Sequence, residues 1–126
     1  FNINELVDTS LSKNSKRTSE MLNESNYKIE DGILILRTFL QKAKRLLNLY
    51  EKQDKNISFD GLINSYTPPI FWKDKPIIKK QLECWSETKI KNLIVNINKT
   101  EIFLKKNSSI TLLLVFNFVY ETSERN

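Results

Sequence analysis

Three prolines fall within nine residues in the stretch Pro68-Pro69-Ile70-Phe71-Trp72-Lys73-Asp74-Lys75-Pro76. Each pyrrolidine ring fixes its own φ and pushes the preceding residue toward extended backbone, so no helix runs unbroken from Thr67 to Lys75. Whatever this chain folds into has two parts joined by a stiff, aromatic and basic connection. A large aromatic on such a connection either plugs a core or stands out toward a partner. Phe71 is expected to close one end of the fold beneath the turn, whereas both fates stay open for Trp72.

On either side of the prolines the apolar residues keep helical time. Ile29, Ile33, Leu36, Leu40, Ala43, Leu47 and Tyr50 follow spacings of three and four, and Arg37, Thr38, Gln41, Lys42, Lys44, Arg45 and Asn48 fill the other face. This predicts a long amphipathic helix, with Glu30 and Asp31 favoured by the dipole at its start and Lys52 and Lys55 near its end. Upstream, Ile3, Leu6, Val7 and Leu11 predict a short helix, followed by a polar surface helix to about Asn23 carrying Met21 and Leu22. Asn56 to Tyr66, with Gly61 inside it, allows a short helix or turn. After the prolines, Asp74 can cap a helix with Pro76 in its first turn and Ile78, Leu82 and Trp85 along one face. Ser86 reads as the cap of the next helix, with Trp85 placed to pack on Ile90. That helix carries Ile90, Leu93, Ile94, Ile97 and Leu104 to about Lys106. Ser108 or Ser109 is expected to cap a last helix through Tyr120, whose run Ile110 to Phe116 reads as a buried core segment. No stretch alternates with period two, so the expected fold is an all-α bundle of about five to seven helices.

The 126 residues, 40% of them hydrophobic, suit one domain with a modest core. The chain begins with Phe and no charged n-region or cleavage site follows, so it reads as an excised piece of a longer protein, and no targeting signal is visible in it. Its most apolar run falls well short of the ~20 residues that span a bilayer. Cys84 is the single cysteine, which excludes an internal disulfide and a multi-cysteine zinc site; beside Trp85 it reads as a small buried residue. Without histidine there is no Ser-His or Cys-His nucleophile pair and no imidazole ligand. The carboxylates form no calcium-loop motif. No catalytic residue, metal or cofactor is expected.

The charge is concentrated. Nine lysines between residues 73 and 106 stand against four carboxylates, giving that segment a net +5, the same as the whole chain. A polyanion is drawn to the second half. Solvation of exposed helix faces is the bland alternative for such lysines. One acidic residue fits its helix badly: Glu101 falls on the apolar stripe just before Leu104, where an unpaired carboxylate costs several kcal/mol. A structural ion pair or hydrogen bond is its expected fate.

Taken together, these motifs resemble those of one family. A small helical pair, a long helix with Ile35-Leu36-Arg37-Thr38, the Pro68 to Pro76 segment, and Lys99-Thr100-Glu101 with Leu104-Lys105 resemble the C-terminal domain of the bacterial DNA polymerase III delta subunit. The resemblance spans nearly the whole chain, although each motif is short. It implies a helical collar domain of the sliding-clamp loader, working in the cytoplasm at the replisome. In that family five such domains, from delta, delta-prime and three copies of the ATPase subunit, pack into a collar above primed-template DNA. The beta clamp is held by an N-terminal domain that this chain lacks. The delta subunit has no working ATP site, and with Gly32 and Gly61 as its only glycines this chain has no Gly-x-x-x-x-Gly-Lys loop.

The resemblance puts Trp72 in the segment that resembles the DNA-facing side. An indole there can stack on a template base while Lys73, Lys75 and Lys79 meet phosphates. The basic turn at Lys105, Lys106 and Asn107 is a second candidate contact. Neither suggests sequence-specific readout, because stacking and phosphate contacts tolerate most sequences. A free-standing nucleic-acid-binding module and a purely structural helical adaptor are the alternatives. The collar assignment differs from both in expecting an exposed, partly apolar flank.

Overall fold

The computed structural model describes residues 2–125. Seven helices follow in order: α1 (Ile3–Leu11), α2 (Ser15–Glu24), α3 (Ile29–Lys52), α4 (Phe59–Ser65), α5 (Lys75–Cys84), α6 (Glu87–Lys106) and α7 (Thr111–Ser123). A 3₁₀ turn, Ser108–Ile110, precedes α7, and no strand occurs among the described residues. The chain is an all-α bundle.

Local chemistry sets most helix starts. Short polar side chains accept from the exposed N–H groups of the first turn: Asn2 for α1, Asn14 for α2, Ser58 for α4 and Ser86 for α6. In α3 the Asp31 carboxylate accepts from the Lys28 backbone N–H at 2.8 Å. Asp74 occupies the cap position of α5, but its side chain makes no capping hydrogen bond, and Pro76 supplies the helical φ instead. The expected serine cap on α7 is also missing. Ser108 and Ser109 lie in the 3₁₀ turn, where the Ser108 carbonyl accepts from Thr111 Oγ1 at 2.7 Å, and α7 runs on past Tyr120 to Ser123.

α3 is the axis, packed by α1, α4, α5, α6 and α7. Its most buried line is Gly32, Ile35, Leu36, Phe39, Ala43, Leu46 and Leu49. Only Leu36 and Ala43 are shared with the expected stripe; Ile33, Leu40, Leu47 and Tyr50 flank the core half-buried, and Ile29 is exposed. With partners on several sides, α3 carries an apolar face wide enough to contain both stripes, and packing chooses its centre. Phe39 takes that centre, meeting Phe118 of α7 edge to face with centroids 5.2 Å apart. Gly32 lets α7 come close: a Cβ there would lie 2.6 Å from Thr111 Cγ2.

The α1–α2 pair closes one side of the bundle. Met21 is fully buried, so α2 is a surface helix that still donates a core residue. Lys13, at φ 62°, takes the left-handed position that ends α1. Its Nζ donates to the Thr122 carbonyl at 2.9 Å and sits 3.8 Å above the Trp85 ring, while Trp85 Nε1 donates to the Leu11 carbonyl at 2.8 Å. Ser10 Oγ donates to the Val119 carbonyl at 2.8 Å. These bonds tie α1, α7 and the α5–α6 junction together. The run Ile110 to Phe116 is less buried than its apolarity predicts: Thr111 and Val115 are buried, Leu112, Leu114 and Phe116 are half-buried, and Leu113 is 65% exposed. α7 packs against α1, α2, α3 and α6, and Leu113, Asn117 and Tyr120 lie on the side left exposed among the described residues.

Candidate nucleic-acid interface

The proline segment reaches α5 through a turn closed by the Asp74 N–H donating to the Phe71 carbonyl at 2.9 Å. Ile70 is buried and anchors the turn to the bundle. Phe71 is 57% exposed and Trp72 67%. The expectation that Phe71 plugs the core is therefore wrong. Ile70 takes the anchoring place on the bundle, and Phe71, at the first position of the turn, is left outside. The two rings stand 5.9 Å apart as a tilted pair, with Lys73 Nζ 5.4 Å from the Trp72 centroid.

The lysines named beside Trp72 are not equivalent. Lys75 Nζ donates to Asn64 Oδ1 at 3.0 Å, and Lys79 Nζ pairs with Asp60 Oδ2 at 3.0 Å. The Asp60 carboxylate holds the Lys79 ammonium above its ordinary value, first by hydrogen bonding and then by charge. Both side chains are engaged in binding α5 to α4. Lys73, at the corner of the turn, makes no such contact with α4.

A cleft of about 600 Å³ opens between the proline segment and α3, walled by Lys44, Arg45 and Asn48 on one side and Tyr66, Pro69 and Phe71 on the other. Arg45 Nε is buried without a hydrogen-bond partner among the described residues. Neither Lys44 nor Arg45 joins an ion pair among the described residues. From the sequence, both belong to the polar side of an amphipathic helix; an adjacent Lys-Arg pair was the one available signal. Lys42, at the same cleft, is spoken for by Asp8 of α1 at 3.2 Å.

The second candidate lies elsewhere. Lys105 and Lys106 are exposed at the end of α6, and Asn107 ends that helix, its Nδ2 donating to the Phe103 carbonyl at 3.0 Å. This end of α6 is near Arg37, whereas the cleft is at Arg45, roughly 12 Å further along α3 at 1.5 Å per residue. The fold keeps the two basic sites apart. Around the second site, Ile102, Phe103, Ile110 and Leu113 are exposed apolar residues, with Ile29 and Leu34 also exposed on the first turns of α3.

Glu101 has the partner that its position calls for. Arg37 Nε of α3 lies 3.5 Å from its Oε1, and the carboxylate side chain keeps 23% exposure while the arginine is mostly in solvent. Such a pair contributes about 0 to 1 kcal/mol, and partial hydration removes the larger cost expected of a buried charge. Cys84 is half-buried, with Sγ 3.8 Å from the Ser12 carbonyl oxygen. Among the described residues no group of three carboxylates or thiols is placed to hold a metal, and no single helix is long and apolar enough to cross a membrane. Comparison with protein-family models, with curated proteins and with solved structures found no match to this chain.

Proposed function

We propose that this chain is a non-catalytic collar domain of a bacterial clamp loader, the C-terminal part of a delta subunit. It joins the ATPase and delta-prime subunits through helix faces and presents Trp72 to the single-stranded template of primed DNA, within the replisome in the cytoplasm. The observation that carries the reading is the uncovered apolar surface at the α6–α7 junction, where Ile102, Phe103, Ile110 and Leu113 stand in solvent. Exposed apolar residues gathered in this way mark protein interaction surfaces. The exposed Phe71–Trp72 pair favours the alternative of a free-standing nucleic-acid module and is compatible with the collar, since stacking on aromatic faces serves single strands in either setting.

Size-exclusion chromatography with light scattering tests the choice, mixing the chain with the collar domains of its ATPase and delta-prime subunits, with and without primed DNA. A stoichiometric mixed complex is expected. A chain that elutes alone but binds DNA in a salt-dependent way is a free-standing module; one that binds neither is a structural adaptor.

A further inference from the structure

We propose that the cleft between α3 and the proline segment is a nucleotide seat. Lys44 and Arg45 hold a backbone phosphate of a single strand, and Phe71 receives the adjoining base. The proposal rests on the reading that Trp72 stacks a single-strand base, and adds the path the strand takes from there. That path leads into α3, away from the lysines of α5.

Three observations carry it. The cleft's volume, about 600 Å³, falls within the range of small-ligand sites. Its walls differ in kind: one offers two cations free of ion pairs among the described residues, the other the flat faces of Pro69, Tyr66 and Phe71. A nucleotide has the same two-sided chemistry, an anionic backbone and an apolar ring. Finally, Arg45 lines the cleft with its Nε bonded to no other group among the described residues, and an arginine fork suits phosphate oxygens. The one carboxylate among the lining residues is Asp74, whose backbone closes the turn below Phe71. Trp72 stands next along the turn, its ring 5.9 Å from Phe71, so consecutive bases meet consecutive aromatic faces. Lys75 and Lys79 are poorer phosphate ligands because Asn64 and Asp60 already hold them.

The test is fluorescence anisotropy with a labelled twelve-nucleotide oligothymidylate and the 126-residue chain, titrated between about 50 and 200 mM salt. Four proteins are compared: the parent, Trp72→Ala, Lys44→Gln with Arg45→Gln, and the charge-matched Lys75→Gln with Lys79→Gln. Circular dichroism melts accompany each, and Lys44→Gln alone, at an exposed position, serves if the Arg45 change unfolds the protein. The α3 double variant is expected to bind about 10-fold more weakly and to lower the logarithmic salt slope by about 0.7 to 1.4, one or two phosphate contacts on a single strand. The α5 double variant should lose less than about 3-fold. Equal losses in the two doubles overturn the seat in favour of diffuse attraction. If Trp72→Ala weakens binding while the α3 variants bind as the parent does, the seat is wrong and the stacking role stands. A parent chain that does not bind the oligonucleotide sinks both.

Discussion

The two tryptophans each have a lysine at the ring and have opposite fates. Trp85 spends its indole N–H on the Leu11 carbonyl and lies under Lys13, whose own ammonium reaches Thr122; ring, cation and three helical segments form one closed unit. Trp72 stands on a turn with its face largely in water, and Lys73 swings near it from the adjacent position. The difference is in what surrounds the pair. Where buried carbonyls need donors, a tryptophan and a lysine become structural glue; on a proline-stiffened turn the same pair is left for a partner. Stability should therefore reside around Trp85 and binding around Trp72.

Deleting each indole tests that division most severely. Trp85→Ala removes a half-buried ring, a hydrogen bond and the seat of Lys13, and is expected to cost about 3 kcal/mol. Trp72→Ala should stay within about 0.5 kcal/mol of the parent, as surface changes do. Urea unfolding followed by far-UV circular dichroism reads both. Comparable losses in the two variants would abolish the contrast, because Trp72 would then be packed.

The glycines repeat the contrast on a smaller scale. At Gly32, in the tight α3–α7 crossing, a new methyl meets Thr111 Cγ2 at 2.6 Å, and that threonine is held by its own bond to Ser108. Overpacking of about 1 to 3 kcal/mol outweighs the ~1 kcal/mol gained in helix propensity, so Gly32→Ala should lower stability by about 1 kcal/mol. At Gly61, in α4 beside the proline segment, the nearest atoms lie at 3.4 and 3.5 Å, which is ordinary contact. Gly61→Ala keeps the N–H bonded to Ser58 and should add about 0.5 kcal/mol. Thermal melts of the two variants should shift in opposite directions; a stabilising Gly32→Ala would mean that α3 and α7 do not approach as closely as this.

The sequence discloses local events and hides tertiary ones. Ser86 announced the start of α6 because capping needs only a hydroxyl and an N–H three residues on. The poor fit of Glu101 to its stripe foretold a partner, though it could not name Arg37. Periodicity found α3 but placed its buried line on the wrong side of a broad apolar face, since the choice between Phe39 and Leu40 was made by Phe118 from another helix. Phe71 shows a similar limit: beside the prolines either Ile70 or Phe71 can be the anchor, and only the bundle beneath decides. Leu113 looked like core because an apolar run is mute about what it faces. Lys44 and Arg45 were invisible as a site until the proline segment folded back across α3.

The smallest effect separates the two regions by titration. Lys13 is held below the ordinary lysine value, mainly because burial disfavours its charge, with Lys89 adding repulsion against the opposing effect of Cys84. Lys79 is held above it by Asp60. The signs for stability are opposite. With Lys13 depressed in the folded state, its unfavourable term is complete at neutral pH and is relieved as pH climbs through its folded value toward 10.5. With Lys79 raised, its favourable term is complete below 10.5 and fades as pH passes its folded value. Carbon NMR of the lysine Cε positions should show Lys13 titrating below its ordinary value and Lys79 above it, and Asp60→Asn should lower Lys79 while leaving Lys13 unmoved. If Lys13 instead titrates with the exposed lysines, its ammonium is in water and not packed between Trp85 and the Thr122 carbonyl. The closed unit around Trp85 would then be no tighter than the open turn around Trp72, and the large stability gap expected between their alanine variants would lose its cause.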